Sequence, residues 1–281
     1  MTASPDTRVP ALASCPSPDA TAKSGVPEEP PGKTLIVIPA QNEAENIGPV
    51  LDELALWNLG HDTLVVNDAS TDGTRSVLEE RGQRTIHLST NLGYGGAVQA
   101  GFKYALLHGY DYVVQMDADY QHDPSSIPAL LEVVHSDQAD VALGSRFLGK
   151  PGYRVPPPRR AGIELFRRIV SFFLKQPITD PTSGFQALNK AAVSFYAGDT
   201  YPTDYPDSDV LLALHFAGFR VREVPAAMRA RLRGESIHGG WKIVYYLAKM
   251  FLAILMVLLR GRGPSRRSAS SGRNEGNATQ Q

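Results

Sequence analysis

Short β-rich runs, each cut off by polar residues that open a helix, recur along the first half of the chain and limit the architectures open to it. Thr34-Leu35-Ile36-Val37-Ile38-Pro39 is the first run. Gln41-Asn42-Glu43-Ala44-Glu45 follows, with Asn42 a candidate N-cap and Glu45 at the capping-box position, and a helix should then run to about Trp57. Thr63-Leu64-Val65-Val66-Asn67 is the second run, and Asp68-Ala69-Ser70-Thr71-Asp72-Gly73-Thr74 opens the next helix. Thr85-Ile86-His87-Leu88, Tyr112-Val113-Val114-Gln115-Met116 and Val141-Ala142-Leu143 continue the rhythm, with a helix ending near His108 between the first two of these. Such alternation predicts an α/β fold, a mostly parallel sheet covered by helices on both faces.

Ligands of such sheets sit beyond the carboxyl ends of the strands. Glu43, Asp68, Asn91, Asp117, Asp119 and Arg146 all fall there. The Tyr112 run ends in Asp117-Ala118-Asp119-Tyr120-Gln121, and strand periodicity places Asp117 and Asp119 on one side. Two carboxylates so placed can share a hard divalent cation. Asp is also common where strands turn, so the pair by itself leaves both readings open. Asp123-Pro124 then marks a helix start. Asp68 and Asp72 are equally readable as helix caps. Gly93, Gly95 and Gly96 lack the G-x-G-x-x-G spacing and no G-x-x-x-x-G-K-[ST] occurs, so phosphate would not be held by a P-loop.

The second half changes character. Residues 150–160 form a Pro/Gly/Arg loop, mobile or facing an acceptor, and residues 161–175 a helix with Phe166, Phe172 and Phe173 as core candidates. Asp180 to Phe185 make a compact turn; Tyr205-Pro206-Asp207-Ser208-Asp209 precede an apolar helix through His215; Phe219 to Pro225 read as an edge strand. Arg229, Arg231 and Arg233 alternate with apolar residues, as either a solvated edge or an arginine clamp on phosphate. The stretch from Trp241 to Leu259 is apolar but marginal for spanning a bilayer, and Lys249 interrupts it. With Trp241, Tyr245 and Tyr246 at one end and Arg260 and Arg262 at the other, it predicts a helix lying in or dipping into the cytoplasmic leaflet; a buried core helix or a face for a protein partner is the alternative.

The net charge of −1 hides an asymmetry: from Arg229 to Arg267 only Glu235 opposes a series of Lys and Arg residues. A basic end beside an apolar helix points to anionic lipid, not to nucleic acid. The single cysteine, Cys15, excludes an internal disulfide and a cysteine-based zinc site and fits a reducing cytoplasm. Residues 1–33 lack the apolar core of a signal peptide and read as a disordered, unexported tail. The expected organisation is a tail (1–33), a catalytic domain (34–238), a membrane-associated helix (239–262) and a second disordered tail (263–281).

Taken in order, Pro39, Asn42-Glu43, Asn67-Asp68-Ala69-Ser70, Asp72-Gly73-Thr74, Asn91-x-Gly93, Asp117-Ala118-Asp119, Gly144-Ser145-Arg146 and Asp180-x-Thr182-Ser183-Gly184-Phe185 resemble glycosyltransferase family 2, most of all its dolichol- or polyprenyl-phosphate mannosyltransferase branch. The resemblance covers most of the folded chain. It implies a GT-A, Rossmann-like fold, a nucleotide-sugar donor, Mg2+ or Mn2+, and inversion at the anomeric carbon. Asp117, Asp119 and Gln121 match the metal-binding D-A-D-x-Q positions; Pro39, Glu43 and Asp68, with Ala118 and Asp119, match donor contacts. Arg146 matches an arginine near diphosphate and acceptor. Arg229, with Arg231, Gly234 and Ser236 nearby, and Ser183 match the surroundings of the acceptor phosphate. Asp117, Asp119, Arg146 and Arg229 are thus the catalytic candidates. Asn67 stands where an Asp is common and Asp209 where a Glu is common.

The expected partners are a nucleoside-diphosphate sugar, a polyprenyl phosphate, the inner face of the membrane as a peripheral or monotopic surface, and a small integral membrane protein. A lipid phosphate, with second pKa about 6, attacks without a general base. A hydroxyl acceptor, as in polysaccharide or glycolipid synthesis, would need one, with Asp207 or Asp209 the candidates. A non-catalytic nucleotide-sugar-binding protein is the remaining alternative, against which the intact acidic pair counts.

Overall fold

The computed structural model describes residues 32–148, 157–199, 201–202, 206–229 and 242–260. Both expected tails, Arg231, Arg233, Gly234, Ser236 and Trp241 lie outside the described residues, apart from Gly32 and Lys33 of the first tail. Its strands are β1 (Thr34–Ala40), β2 (Asp62–Asn67), β3 (Thr85–His87), β4 (Tyr112–Gln115), β5 (Val141–Ser145), β6 (Gln186–Asn189) and β7 (Val221–Pro225). They form one sheet in the order β3-β2-β1-β4-β6-β5-β7, parallel throughout except that β6 runs antiparallel to both β4 and β5. The helices are α1 (Ala44–Trp57), α2 (Thr74–Glu80), α3 (Gly93–Leu107), α4 (Ile127–His135), α5 (Pro157–Leu174), α6 (Lys190–Tyr196), α7 (Ser208–Phe216) and α8 (Lys242–Arg260).

Strand β1 is buried along its whole length and divides its side chains between two cores. Ile36 and Ile38 pack with α1, α2 and α4, whereas Leu35 and Val37 pack with α3 and α5 to α8. The period of two thus feeds both faces of the sheet, as the run of continuous apolar residues requires. The expected α/β architecture, mostly parallel with helices on both faces, is the one found.

Several local expectations are corrected. The strand β6 was not foreseen; it inserts between β4 and β5 and reverses direction. Asn42 does not cap α1, because it sits in the left-handed region at φ 55° and its Oδ1 accepts the Thr71 N–H at 2.8 Å. The cap position is Glu43, and the first helical N–H, of Ala44, is taken by Asp72 Oδ2 at 3.1 Å from the neighbouring loop. Helix α5 begins at Pro157, inside the expected loop, with proline in the first turn where its missing N–H costs nothing. Phe166 is a core residue, but Phe172 is exposed.

Helix α8 has two unlike sides. Met250 and Ile254 are buried in the core, beside α7, while Phe251, Leu252, Leu255, Met256 and Leu259 are exposed. No described helix is long and apolar enough to cross a membrane.

Helix α3 lies close enough to β1 that Gly101 has no room for a side chain: an added Cβ would stand 2.3 Å from Val37 Cγ1. Gly101→Ala is predicted to cost about 1–3 kcal/mol, the usual range for overpacking. The urea midpoint should fall, and Val37→Ala in the same chain should recover part of the loss. An unchanged midpoint in Gly101→Ala would contradict this packing.

Candidate active site

The sheet changes direction of winding between β1 and β4, since β1 leads to β2 and β3 on one side and β4 lies on the other. Crevices form at such switch points, beyond the strands' carboxyl ends. Pro39 shows where the crevice opens. Parallel strands direct alternate residues toward alternate neighbours. The Val37 carbonyl faces β4, accepting the Met116 N–H at 3.1 Å, and the Ala40 carbonyl faces β2, accepting the Asp68 N–H at 2.9 Å. Pro39 therefore faces the β4 side, beyond the last paired residues Val37 and Gln115. A proline is tolerated in this central strand because nothing there would accept its N–H.

The chain leaves β4 at Gln115, so Asp117, Ala118 and Asp119 lie on a loop and not on the strand that the sequence periodicity suggests. The loop is tightly wound. Asp119 Oδ1 accepts the Gln121 N–H at 3.0 Å, Tyr120 is left-handed at φ 69°, and Asp123 caps the following turn by accepting the Ser125 N–H at 2.9 Å with Pro124 at its first position. Asp117 and Asp119 are both partly exposed and Ala118 is buried between them. Gln121 joins the loop through its backbone, its carbonyl accepting the Arg229 N–H at 2.9 Å.

Residues absent from the motif reading surround Asp117. The Tyr94 hydroxyl, on the first turn of α3, donates to Asp117 Oδ1 at 2.6 Å and accepts from Gln115 Nε2 at 2.9 Å. Burial, then the Asp117 charge, pushes the Tyr94 phenol well above its ordinary range, so it stays a donor. His122 Nδ1 accepts the Asp117 N–H at 3.0 Å, which leaves the ring proton on Nε2, 3.6 Å from Asp117 Oδ2. That ring is buried and stacked on Phe185, with centroids 4.7 Å apart.

The two loops on the β2 side are laced together. Asn42 N–H donates to Ser70 Oγ at 2.9 Å and Glu43 N–H to Thr74 Oγ1 at 2.9 Å. Asp72 caps both helices, accepting from Ala44 and, at 2.9 Å, from the Thr74 N–H. Asp68 is buried and its Oδ1 accepts the Leu92 N–H at 2.7 Å, tying β2 to the start of α3. Asn67, also buried, donates to His87 Nδ1 at 3.1 Å and accepts the Ser70 N–H at 3.1 Å. Glu43 Oε2 accepts from Asn46 Nδ2 at 2.6 Å. Glu43 and Asp68 thus sit on cross-linked loops next to the end of β1, where Pro39 lies.

Both described candidate arginines are paired with carboxylates. Arg146 grips the fully buried Asp180 with a bidentate fork, Nε to Oδ2 at 2.7 Å and Nη2 to Oδ1 at 2.8 Å, and also reaches Thr182 Oγ1 at 3.0 Å. It is a fastener of the Asp180–Phe185 turn and does not offer that fork to a phosphate. Ser183 is buried, and its hydroxyl accepts the Phe185 N–H at 3.3 Å to close the turn. Arg229 reaches Glu53 at 2.7 Å and Asp123 at 2.6 Å, with its guanidinium 5.2 Å from the Tyr120 ring centroid. It therefore stands beside the acidic loop, neutralised by two carboxylates. Asp209 is 3% exposed, its carboxyl pushed up to about 6 by burial, and its Oδ1 accepts the Asp207 N–H at 3.1 Å.

Among the described residues no three His, Cys, Asp or Glu side chains form a metal cage. The donor set nonetheless fits a hard cation of the Mg2+ kind. Such an ion takes one or two carboxylates from the protein and fills its remaining positions with water and phosphate oxygens. Asp117 and Asp119 supply that number and type of ligand at the mouth of the crevice.

The family profile of Glycosyl transferase family 2 matches residues 35–196, which span β1 to α6 and so include the acidic loop. An undecaprenyl-phosphate mannosyltransferase from Micrococcus luteus is 33% identical over 74% of this chain and 88% of its own. A polyprenol monophosphomannose synthase from Mycolicibacterium smegmatis is 31% identical over 76% of this chain and 84% of its own. Glucosyl-3-phosphoglycerate synthase from Mycobacterium tuberculosis, crystallised with Mn2+, UDP and glucosyl-3-phosphoglycerate, superposes with a TM-score of 0.60 at 20% identity, over 82% of this chain and 80% of its own. That last likeness concerns the fold. The profile match and the identity to the relatives go further: this chain belongs to glycosyl transferase family 2.

Proposed function

We propose that the protein transfers a hexose from a nucleoside-diphosphate sugar to a polyprenyl phosphate with inversion, giving a β-linked polyprenyl-phosphate sugar. The observation that carries this reading is the pair Asp117 and Asp119, emerging together past the end of β4 at the switch point of the sheet. The names of the Micrococcus and Mycolicibacterium relatives support the acceptor class. Asp117 and Asp119, with Gln121 beside them, would hold Mg2+ or Mn2+, which when bound supplies Lewis-acid neutralisation of the departing diphosphate.

The chain's own groups have separate tasks. Pro39, Glu43 and Asp68 orient the nucleoside, with Ala118 and Asp119 against the donor. Arg146 keeps the Asp180–Phe185 turn in place behind the acidic loop. Arg229, its charge met by Glu53 and Asp123, ties the loop to α1 and leads into the Arg231 to Ser236 segment, whose residue types suit an acceptor phosphate. A phosphate monoester brings its own anionic oxygen, so no side chain has to remove a proton. The burial of Asp209 agrees with this, since a carboxylate closed off from the crevice is badly placed to activate a hydroxyl. We assign residues 34–238 to catalysis and residues 239–262 to docking on the cytoplasmic leaflet, through the exposed apolar side of α8 next to Arg260.

Incubation with polyprenyl phosphate and a panel of labelled nucleotide sugars tests the reaction. Transfer should appear with one donor; Asp119→Ala should lower it on the order of 10²–10³ or more, as loss of a charge-stabilising group does. Asp209→Asn should stay within a few-fold of wild type. If Asp209→Asn fell as far as Asp119→Ala, the hydroxyl-acceptor reading would replace this one. The docking role predicts that the combined change of Phe251, Leu255 and Leu259 to Ser abolishes flotation with anionic vesicles and raises the apparent KM for vesicle-borne acceptor. Unchanged flotation would rule that role out.

A further inference from the structure

Asp117 is bonded to Tyr94 and His122 and crowded by Gly184, and neither the motifs nor the relatives' names give these residues a task toward it. Tyr94 has a single hydroxyl proton, and at 2.6 Å it goes to Asp117 Oδ1, because an ionised carboxylate only accepts. The hydroxyl oxygen must then receive a hydrogen from Gln115, and the amide that faces it is Nε2 at 2.9 Å. The result is a directed chain, Gln115 to Tyr94 to Asp117, in which each link polarises the next. Gln115 itself is buried, 1% exposed, and held in place by the end of β4, where it is in register with Val37 and Gln186.

Gly184 closes the third direction. A Cβ there would stand 2.6 Å from the Tyr94 hydroxyl and 3.5 Å from Asp117 Oδ1. The turn that Arg146 and Asp180 fasten therefore presses a bare backbone against this hydroxyl, with no room for even a methyl group. On the opposite side, His122 receives the Asp117 N–H and rests flat on Phe185. His122 belongs to the acidic loop, but the other groups are set by other elements: Tyr94 by α3, Gln115 by β4, Gly184 and Phe185 by the turn before β6.

We propose that Tyr94 is a positioning residue for the cation site, holding the Asp117 carboxylate in the orientation in which it ligates, with Gly184 kept bare so that the hydroxyl can reach it. The inference rests on the reading of Asp117 as a ligand. It deepens that reading by naming the hydrogen bond that orients the ligand and the gap that permits it. Outer hydrogen bonds of this kind typically carry 10–100-fold in metal affinity. A misplaced ligand should weaken cation binding and leave turnover at saturating cation largely intact, because Tyr94 does not touch the reacting atoms.

The test is Mn2+ binding to the full chain, read from the electron paramagnetic resonance of unbound Mn2+, for wild type, Tyr94→Phe, Gly184→Ala and Asp117→Asn. Tyr94→Phe should raise the Mn2+ Kd roughly 10–100-fold, with the Mn2+ concentration for half-maximal transfer rising in parallel and kcat at saturating Mn2+ within a few-fold of wild type. Gly184→Ala, which displaces the hydroxyl without removing it, should shift the Kd in the same direction and serves if Tyr94→Phe does not fold. Wild-type Kd in either variant, while Asp117→Asn loses binding, would overturn the role of Tyr94 alone. Wild-type Kd in Asp117→Asn would overturn the ligand assignment beneath it.

Discussion

Pairing between β1 and β4 ends at Val37 and Gln115, and the direction the chain takes from that point governs the chemistry of the molecule. Strand β1 continues to Ala40 beside β2, so its last residues border a gap on the β4 side. Pro39 sits in that gap without an unmet N–H, and the Asp117–Ala118–Asp119 loop begins where the pairing stops. An acidic pair in open solvent would be a weak site. Here the pair projects from a buried strand, backed by a half-buried tyrosine, a buried histidine and a fastened turn, so little conformational freedom is left to lose when a ligand arrives.

The arginines show how the same residue type can serve structure and chemistry. Arg146 and Asp180 are buried together in bidentate contact, an arrangement in which removing one partner leaves an uncompensated charge. Glu223 supports the same turn by accepting the Thr179 and Asp180 N–H groups, each at 2.7 Å. Without that turn Gly184 and Phe185 would not meet Tyr94 and His122. Arg229 works nearer the surface, linking α1 through Glu53 to the acidic loop through Asp123, and its backbone runs against Gln121. The segment that carries the remaining arginines therefore starts at the loop that carries the aspartates.

Much of the fold was legible in the order of residues because parallel strands buried on both faces leave a plain signature, a continuous β-branched run ended by polar residues. Strand β6 left none. Gln186-Ala187-Leu188-Asn189 is four residues long, without a β-branched side chain, and its polar ends are spent on local contacts: Gln186 on the Ser183 carbonyl, Asn189 on capping α6 and on Asp140. The site was legible in part. That Asp117 and Asp119 follow the end of β4, and Asp68 the end of β2, was readable from position along the chain. The contacts of Asn42, Arg146 and Asp72 could not be read, because each has a partner on another loop. Tyr94 and Gly184 are 90 residues apart in the chain and form a contact that only the folded sheet creates.

Soaking crystals of the full chain with donor and Mn2+ and collecting data at the manganese edge tests the central claim most directly. The account predicts a single strong anomalous peak within roughly 2.0–2.6 Å of carboxylate oxygens from Asp117 and Asp119, bridging to the donor diphosphate. A peak held by other residues, with those two carboxylates turned away from the diphosphate, would contradict it.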